Sequence, residues 1–144
     1  MPTLQHTLAG FSATAAADLS SKAVQERLSE AAVLAFFKIV QAWKLRDGQA
    51  RLLLGGISNG VFYQLKRGQK KVLDQDKLTR ISLLIGIFKA LNLLYGRKLA
   101  DQWISLTNTN PMFKGSSPFD YMIQGGVPAF MRVRQLLDAR RGGN

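Results

Sequence analysis

The chain of 144 residues contains no cysteine and a single histidine. Without cysteine there is neither a disulfide nor a thiolate metal site, a usage that suits a cytoplasmic protein. One imidazole, His6, supplies neither a metal-binding pair nor a nucleophile–base couple, and it reads as an incidental surface residue. Acidic residues are scarce, nine in all, and none are paired at the spacing of metal ligands or of an acid–base couple. The only diglycine before the last quarter, Gly55-Gly56, lacks the strand and the lysine of a phosphate-binding loop. The expectation is therefore a protein that is not an enzyme, with no metal, no cofactor and no small-molecule substrate. No apolar run approaches the ~18 residues of a membrane span. The opening "MPTLQHTLAGFSATAAADLSS" is small and polar, unlike a basic-then-apolar signal peptide.

What is abundant is positive charge. Twenty lysines and arginines set the formal net charge at +11. A balance that basic points to a polyanionic partner, nucleic acid first and an acidic protein surface second. Its distribution sharpens the point. Ten basic and three acidic residues lie between Lys38 and Arg80, so most of the excess falls in one third of the chain.

The apolar residues follow a helical period throughout, and no stretch alternates as a strand would. Residues 1 to about 20 are rich in Ala, Ser and Thr and read as a mobile arm. From Ser29, the residues Ala32, Phe36, Ile39, Val40 and Trp43 recur at spacings of three and four along one face. Asp47 is expected to cap the next helix, whose Leu52, Leu53 and Leu54 run into Gly55-Gly56, glycines that tolerate the positive φ of a helix end. Ser58 is expected to cap a short helix with Val61, Phe62 and Leu65 inward, ending near Gly68. Asp74 or Asp76 opens a longer helix built on Leu78, Ile81, Leu84, Ile85, Phe88, Leu91 and Tyr95, which Gly96 closes. Its additional apolar residues Leu83, Ile87, Leu93 and Leu94 suit either deep burial or a subunit contact.

Two short helices joined at a glycine, the second opening on a serine and ending in basic residues, suggest a helix-turn-helix. The second helix of such a unit enters the major groove while the first holds it against the core. Leu52 and Phe62 are expected to pack the two helices together, with Leu65 as the far anchor. Ser58, Asn59, Tyr63 and Gln64 are then available to base edges and phosphates, and Lys66, Arg67, Lys70 and Lys71 to the DNA backbone. Proteins of this type commonly dimerise to read palindromes, so a homodimer is the default.

Past Gly96, "RKLADQWISLTNTN" reads as a short helix with Leu99, Trp103 and Leu106 inward. The segment "NPMFKGSSPFDYMIQGG" then concentrates turn formers. Ser117, Pro118 and Asp120 form a helix start, with the serine as N-cap, proline at the first position and an acid at the third. Gly125-Gly126 stops that helix. Pro128 starts a last one with Phe130, Val133, Leu136 and Leu137 on one face and Arg132, Arg134, Arg140 and Arg141 elsewhere.

The ordered combination "AWKL…GGISNGVFYQLKRG…LTRISLLIGIFKALNLLYG…NPMFKGSSPFDYMIQGG…VRQLLDARRGG" resembles the Xre/MbcA/ParS-type antitoxins of bacterial toxin–antitoxin operons, over roughly residues 31 to 144. The resemblance implies an all-α fold, a helix-turn-helix-containing helical domain followed by a small helical toxin-binding domain. It divides the chain into residues 1–28 (mobile arm and short helix), 29–96 (Xre-like helix-turn-helix and dimerisation region) and 97–144 (toxin-binding domain). It also implies two partners, operator DNA and a RES-domain toxin that consumes NAD or uses it to modify a protein. The antitoxin covers the toxin's active-site cleft, and the complex represses its own operon.

Matched residue by residue, Asn110, Pro111, Gly115, Ser117, Pro118 and Asp120 correspond to the domain's signature turn. Arg134, Asp138, Arg140, Arg141, Gly142, Gly143 and Asn144 correspond to its toxin-binding helix and tail. Many relatives end in an aromatic residue where this chain has Asn144. A basic tail suits a cleft built for an anionic dinucleotide, because arginine forks fit carboxylates and diglycine enters narrow slots. The alternative is a stand-alone helix-turn-helix transcriptional regulator without a toxin partner.

Overall fold

A computed structural model describes residues 18–142; His6, most of the expected arm, Gly143 and Asn144 lie outside the described residues. Every described element is helical. In chain order they are α1 (Lys22–Ala42), α2 (Asp47–Leu53), α3 (Asn59–Lys66), α4 (Gln75–Trp103), a 3-10 turn (Pro111–Phe113), α5 (Pro118–Gly125) and α6 (Val127–Arg141).

α1 begins seven residues before Ser29, where the strong apolar period starts. Ser21 supplies its N-cap, accepting from the Val24 amide at 3.4 Å. The expected face is buried in full: Ala32, Phe36, Ile39, Val40 and Trp43 all belong to the core. Ser29 is buried as well, because its hydroxyl donates to the Gln25 carbonyl and accepts from the Leu73 amide at 2.8 Å. That bond fastens the loop before α4 to α1, and it satisfies both polar groups where water is absent.

α4 is the centre of the molecule. Asp74 caps it, its carboxylate accepting from the Lys77 amide at 3.0 Å. Leu78, Ile81, Leu84, Ile85, Phe88 and Leu91 are buried, and Ile87 is buried too. Of the additional apolar residues, Leu83 and Leu94 pack half-buried against the core and Leu93 faces water. One 18-residue window of α4 reaches a mean hydropathy of 1.4, so length and composition alone would allow a membrane span, against the expectation from apolar runs. Half of that window is buried inside the protein, where α1 and α6 pack on either side of it. It is a core helix. Gly96 interrupts it at φ 75°, ψ 164°, a left-handed φ that favours glycine. The chain resumes helical geometry at Arg97, so α4 is two helices meeting at Gly96, and the first closes there as expected.

Three apolar placements differ from expectation. Leu52 is 47% exposed, and Leu53 and Leu54 fill the interior beside Phe62. Leu99 and Leu106 also face solvent, and the inward side of the post-Gly96 turns is Ala100, Trp103 and Ile104. For Leu52 and Leu99 the difference is a rotation of about one residue, or 100° on a helix, which a short apolar cluster leaves open when neighbours are all leucine or the entry angle is set by a bend; Leu106 lies past the helix end at Trp103.

The proline- and glycine-rich bend is a scaffold fastened at both ends. Asn110 accepts from the Met112 amide at 2.9 Å, and Asn108 accepts from the Asn110 amide at 2.9 Å. Lys114 and Gly115 both take positive φ, 50° and 86°. Ser117 caps α5 through the Asp120 amide at 3.1 Å, and the Phe119 amide donates to the Ile104 carbonyl at 2.9 Å. Phe113 fills the hollow beneath, edge-on to Trp103 and Tyr121 with ring centres 6.1 and 5.2 Å away. The path places α6 along α4, with Ala129, Phe130, Val133 and Leu137 buried and Leu136 half-buried.

Candidate functional site: a recognition helix and a basic carboxy-terminal helix

α2 and α3 form the compact pair that the glycine turn suggested. Gly55 and Gly56 both have positive φ, 86° and 79°, and the Gly56 amide closes on the Arg51 carbonyl at 2.8 Å. The Arg51 side chain crosses the turn and donates to the Ile57 carbonyl at 2.8 Å, holding the loop that leads to Ser58. Ser58 caps α3 by accepting from the Val61 amide at 3.2 Å. Phe62 and Leu65 anchor the helix inward; burying each stabilises the fold by roughly 2 kcal/mol.

The outward face of α3 then follows from the helical period. Asn59, Gly60, Tyr63, Lys66 and Arg67 are exposed and recur at spacings of three and four, so they share one side. Gln64 is half-buried. Lys70 and Lys71 lie past the end of the helix, in the loop fastened to α1, where Lys70 stands 3.9 Å from Glu30. The expected DNA-contact residues therefore divide into a helix face and a loop pair.

Asp47 has a role that its position in the sequence did not indicate. It is the first residue of α2 and not its cap; Arg46 occupies the cap position, its amide donating to the Gln49 side chain at 2.9 Å. The Asp47 carboxylate reaches across to α3 and accepts from Lys66 Nζ at 2.8 Å and from the Tyr63 hydroxyl at 2.9 Å. Those bonds hold its pKa below the ordinary aspartate value, the Lys66 bond contributing most and Tyr63 next. They raise the pKa of Tyr63 and of Lys66 in turn, in each case chiefly through the bond to Asp47. Two of the eight expected DNA contacts are thus tethered to one carboxylate. Sequence spacing gave no sign of this, because Asp47 and Lys66 are far apart in the chain and on different helices.

The carboxy-terminal helix carries the second set. Arg134 Nε donates to Asp138 at 3.1 Å, and Arg141 stands 3.8 Å from the same carboxylate. The Arg134 guanidinium lies against Gly86 of α4, where any Cβ would collide with it. Lys89 is next along α4; burial and then the Arg134 charge lower its pKa. Arg140 Nη1 donates to the Tyr95 hydroxyl at 2.8 Å. Arg141 and Gly142 end the described chain, exposed. Arginines in the last turn also complement the negative end of the helix dipole. Val133 and Leu137, which belong to the same sequence motif, are core residues.

One residue joins the two sets. Arg80 of α4 is 15% exposed. Its Nε donates to Asp76 at 3.0 Å, its Nη1 reaches the Leu53 carbonyl at the end of α2 at 3.4 Å, and its guanidinium lies 5.5 Å from the Phe130 ring centre in α6. Sequence reading had counted it only as a charge. Among the described residues no group of three His, Asp or Glu side chains could hold a metal ion.

The comparisons with known proteins agree with this arrangement. Residues 23–86 match the antitoxin Xre-like helix-turn-helix domain, and residues 90–143 match the antitoxin Xre/MbcA/ParS C-terminal toxin-binding domain. The chain belongs to the Xre/MbcA/ParS antitoxin family. It is also 39% identical over 110 residues to the uncharacterized protein y4oB of Sinorhizobium fredii (strain NBRC 101917 / NGR234), an alignment covering 76% of this chain and 83% of the relative. No solved structure matches. A toxin-binding domain implies a toxin partner, and a helix-turn-helix implies DNA binding: the protein is the antitoxin of a toxin–antitoxin pair. The junction between the two matched regions falls inside α4, so one continuous helix serves both halves.

Proposed function

We propose that this antitoxin neutralises a RES-domain toxin by inserting its basic carboxy-terminal end into the toxin's NAD-handling cleft, and that it represses its own operon through α3. The observation that carries the reading is the basic end of α6, where Arg141 and Gly142 are exposed and half-buried Arg140 is held by Tyr95, on a helix packed along α4. Residues 97–144 form the toxin-binding part, in which Arg134, Asp138 and Arg140 to Asn144 make the contacts. Residues 29–96 read the operator as a homodimer, through Ser58, Asn59, Tyr63, Gln64, Lys66 and Arg67, with Lys70 and Lys71 on the backbone. The antitoxin itself contributes no chemistry; it works in the cytoplasm by occupying a site and a promoter.

The test is co-expression with the product of the neighbouring gene, which this reading expects to be a RES-domain protein. A complex should co-purify, and NAD loss caused by the toxin should stop when the antitoxin is present. Free toxin activity and no complex would leave the stand-alone regulator in its place.

A further inference from the structure

The bend at Gly96 exposes what an unbroken helix would not. Tyr95, Gly96, Arg97, Lys98, Leu99 and Gln102 line an open groove of 420 Å³ at the outer side of the elbow. Two leucines bracket it in the sequence and face water, Leu93 at 68% exposure and Leu99 at 48%. The core does not need them, since Leu91 and Ala100 are already fully buried. Leu99 lines the groove and Leu93 is exposed three residues before Gly96; exposed apolar side chains at such a groove mark an interaction surface.

Charge indicates what would cover it. Arg97 and Lys98 are exposed at the elbow, and the Tyr95 hydroxyl brings Arg140 to it through the 2.8 Å bond from α6. A second copy of this chain docked with its two-fold axis through the elbow would set these cations against their own duplicates, which is repulsive. A phosphate backbone would use the cations and leave the leucines unpaired. A protein face with carboxylates around an apolar spot satisfies both. The elbow also belongs to the matched toxin-binding region, which starts at residue 90, and it is continuous with the end of α6 through Tyr95 and Arg140.

We infer that the Gly96 elbow is a second docking surface for the toxin, taking an acidic, apolar-centred patch of that protein outside its cleft; the inference rests on the toxin-binding reading above. The tail then blocks the active site, and the elbow supplies much of the affinity and helps to choose the partner. Apolar contacts ringed by charge are how interfaces concentrate binding energy.

The experiment measures affinity of the full chain for the purified RES-domain protein, with oligomeric state and operator affinity measured alongside. Leu93→Ser with Leu99→Ser should weaken toxin binding at least about tenfold and leave operator binding and helicity unchanged. Lys98→Glu, at an exposed position, should weaken it more at low salt than at high salt. Unchanged toxin affinity in both variants would overturn the elbow and leave the tail reading standing. Loss of self-association or of operator binding, with toxin affinity intact, would overturn it in favour of another occupant. A wild-type chain that does not bind the RES-domain protein would remove both the inference and the reading beneath it.

Discussion

The Arg80 guanidinium lies 5.5 Å from the centre of the Phe130 ring and also reaches the Leu53 carbonyl at 3.4 Å. Through it the first helix of the DNA-reading pair, the central helix and the toxin-binding helix meet at one side chain. Arg80→Ala removes a shielded cation–π contact and leaves a charge-assisted bond unmade, and should lower unfolding free energy by roughly 2 kcal/mol. Arg80→Lys should recover less than half, because an ammonium cannot cover a ring and reach a carbonyl as a planar fork does. Denaturant unfolding of the three proteins checks both statements.

Asp47 and Lys66 make a different kind of prediction. A carboxylate that already holds Lys66 and Tyr63 competes with a DNA phosphate for them. Asp47→Asn should therefore raise operator affinity and steepen its salt dependence by about one counterion, as one more lysine becomes available to phosphate. Binding measured at several salt concentrations distinguishes this from a loss of α3 orientation, which would weaken binding at every concentration.

Gly86 offers a probe of Arg134 that spares the fold. An added Cβ would displace the guanidinium from its seat, and that is the far end of a flexible side chain, free to swing outward. Alanine also gains up to about 1 kcal/mol over glycine inside a helix. Gly86→Ala should thus keep stability within about 1 kcal/mol of the parent while weakening toxin binding several-fold. Melting curves and toxin titration of the same preparation read the two effects separately.

Two aspartates on α4 set opposite pH responses. Asp74 is held below its ordinary pKa by the Lys77 amide it caps, so its contribution is full above the ordinary value and disappears as pH falls through the lowered one. Asp74→Ala should cost about 1 kcal/mol at neutral pH and nearly nothing in strong acid. Asp101 is the reverse. Burial raises its pKa, against the pull of Arg97 and Lys44, and its Oδ1 has no hydrogen-bond partner among the described residues. Its cost is absent below the ordinary aspartate value, grows as pH rises above it and is full beyond the raised value, so Asp101→Asn should stabilise the protein at neutral pH and not below the ordinary aspartate range. Unfolding followed across roughly pH 2 to 8, a window that brackets the ordinary aspartate value of about 4, tests both signs.

The helices were legible in the sequence wherever a long apolar period was punctuated by a capping residue: Ser58, Asp74 and Ser117 all cap as expected. The inward face was lost where neighbours were chemically alike. Leu52, Leu53 and Leu54 offer no contrast, and only the tertiary packing around α2 decides that Leu52 turns outward. Leu99 was misplaced because the heading after Gly96 is set by a bend whose direction no local pattern encodes, and Leu106 because it lies past the helix end at Trp103. Contacts such as Asp47–Lys66 and Arg80–Phe130 join residues from different helices, so single-sequence spacing carries no trace of them. The role proposed for the tail rests on its match to a family motif, which periodicity alone does not carry.

The account stands most directly on one comparison. Purified RES-domain toxin is titrated with the full chain and with a chain ending at Ala139, and NAD consumption is followed. The full chain should abolish NAD loss near equimolar addition, and the shortened chain should fail to do so while binding operator DNA as well as the parent. Equal inhibition by the shortened chain would contradict the role assigned to Arg140 to Asn144.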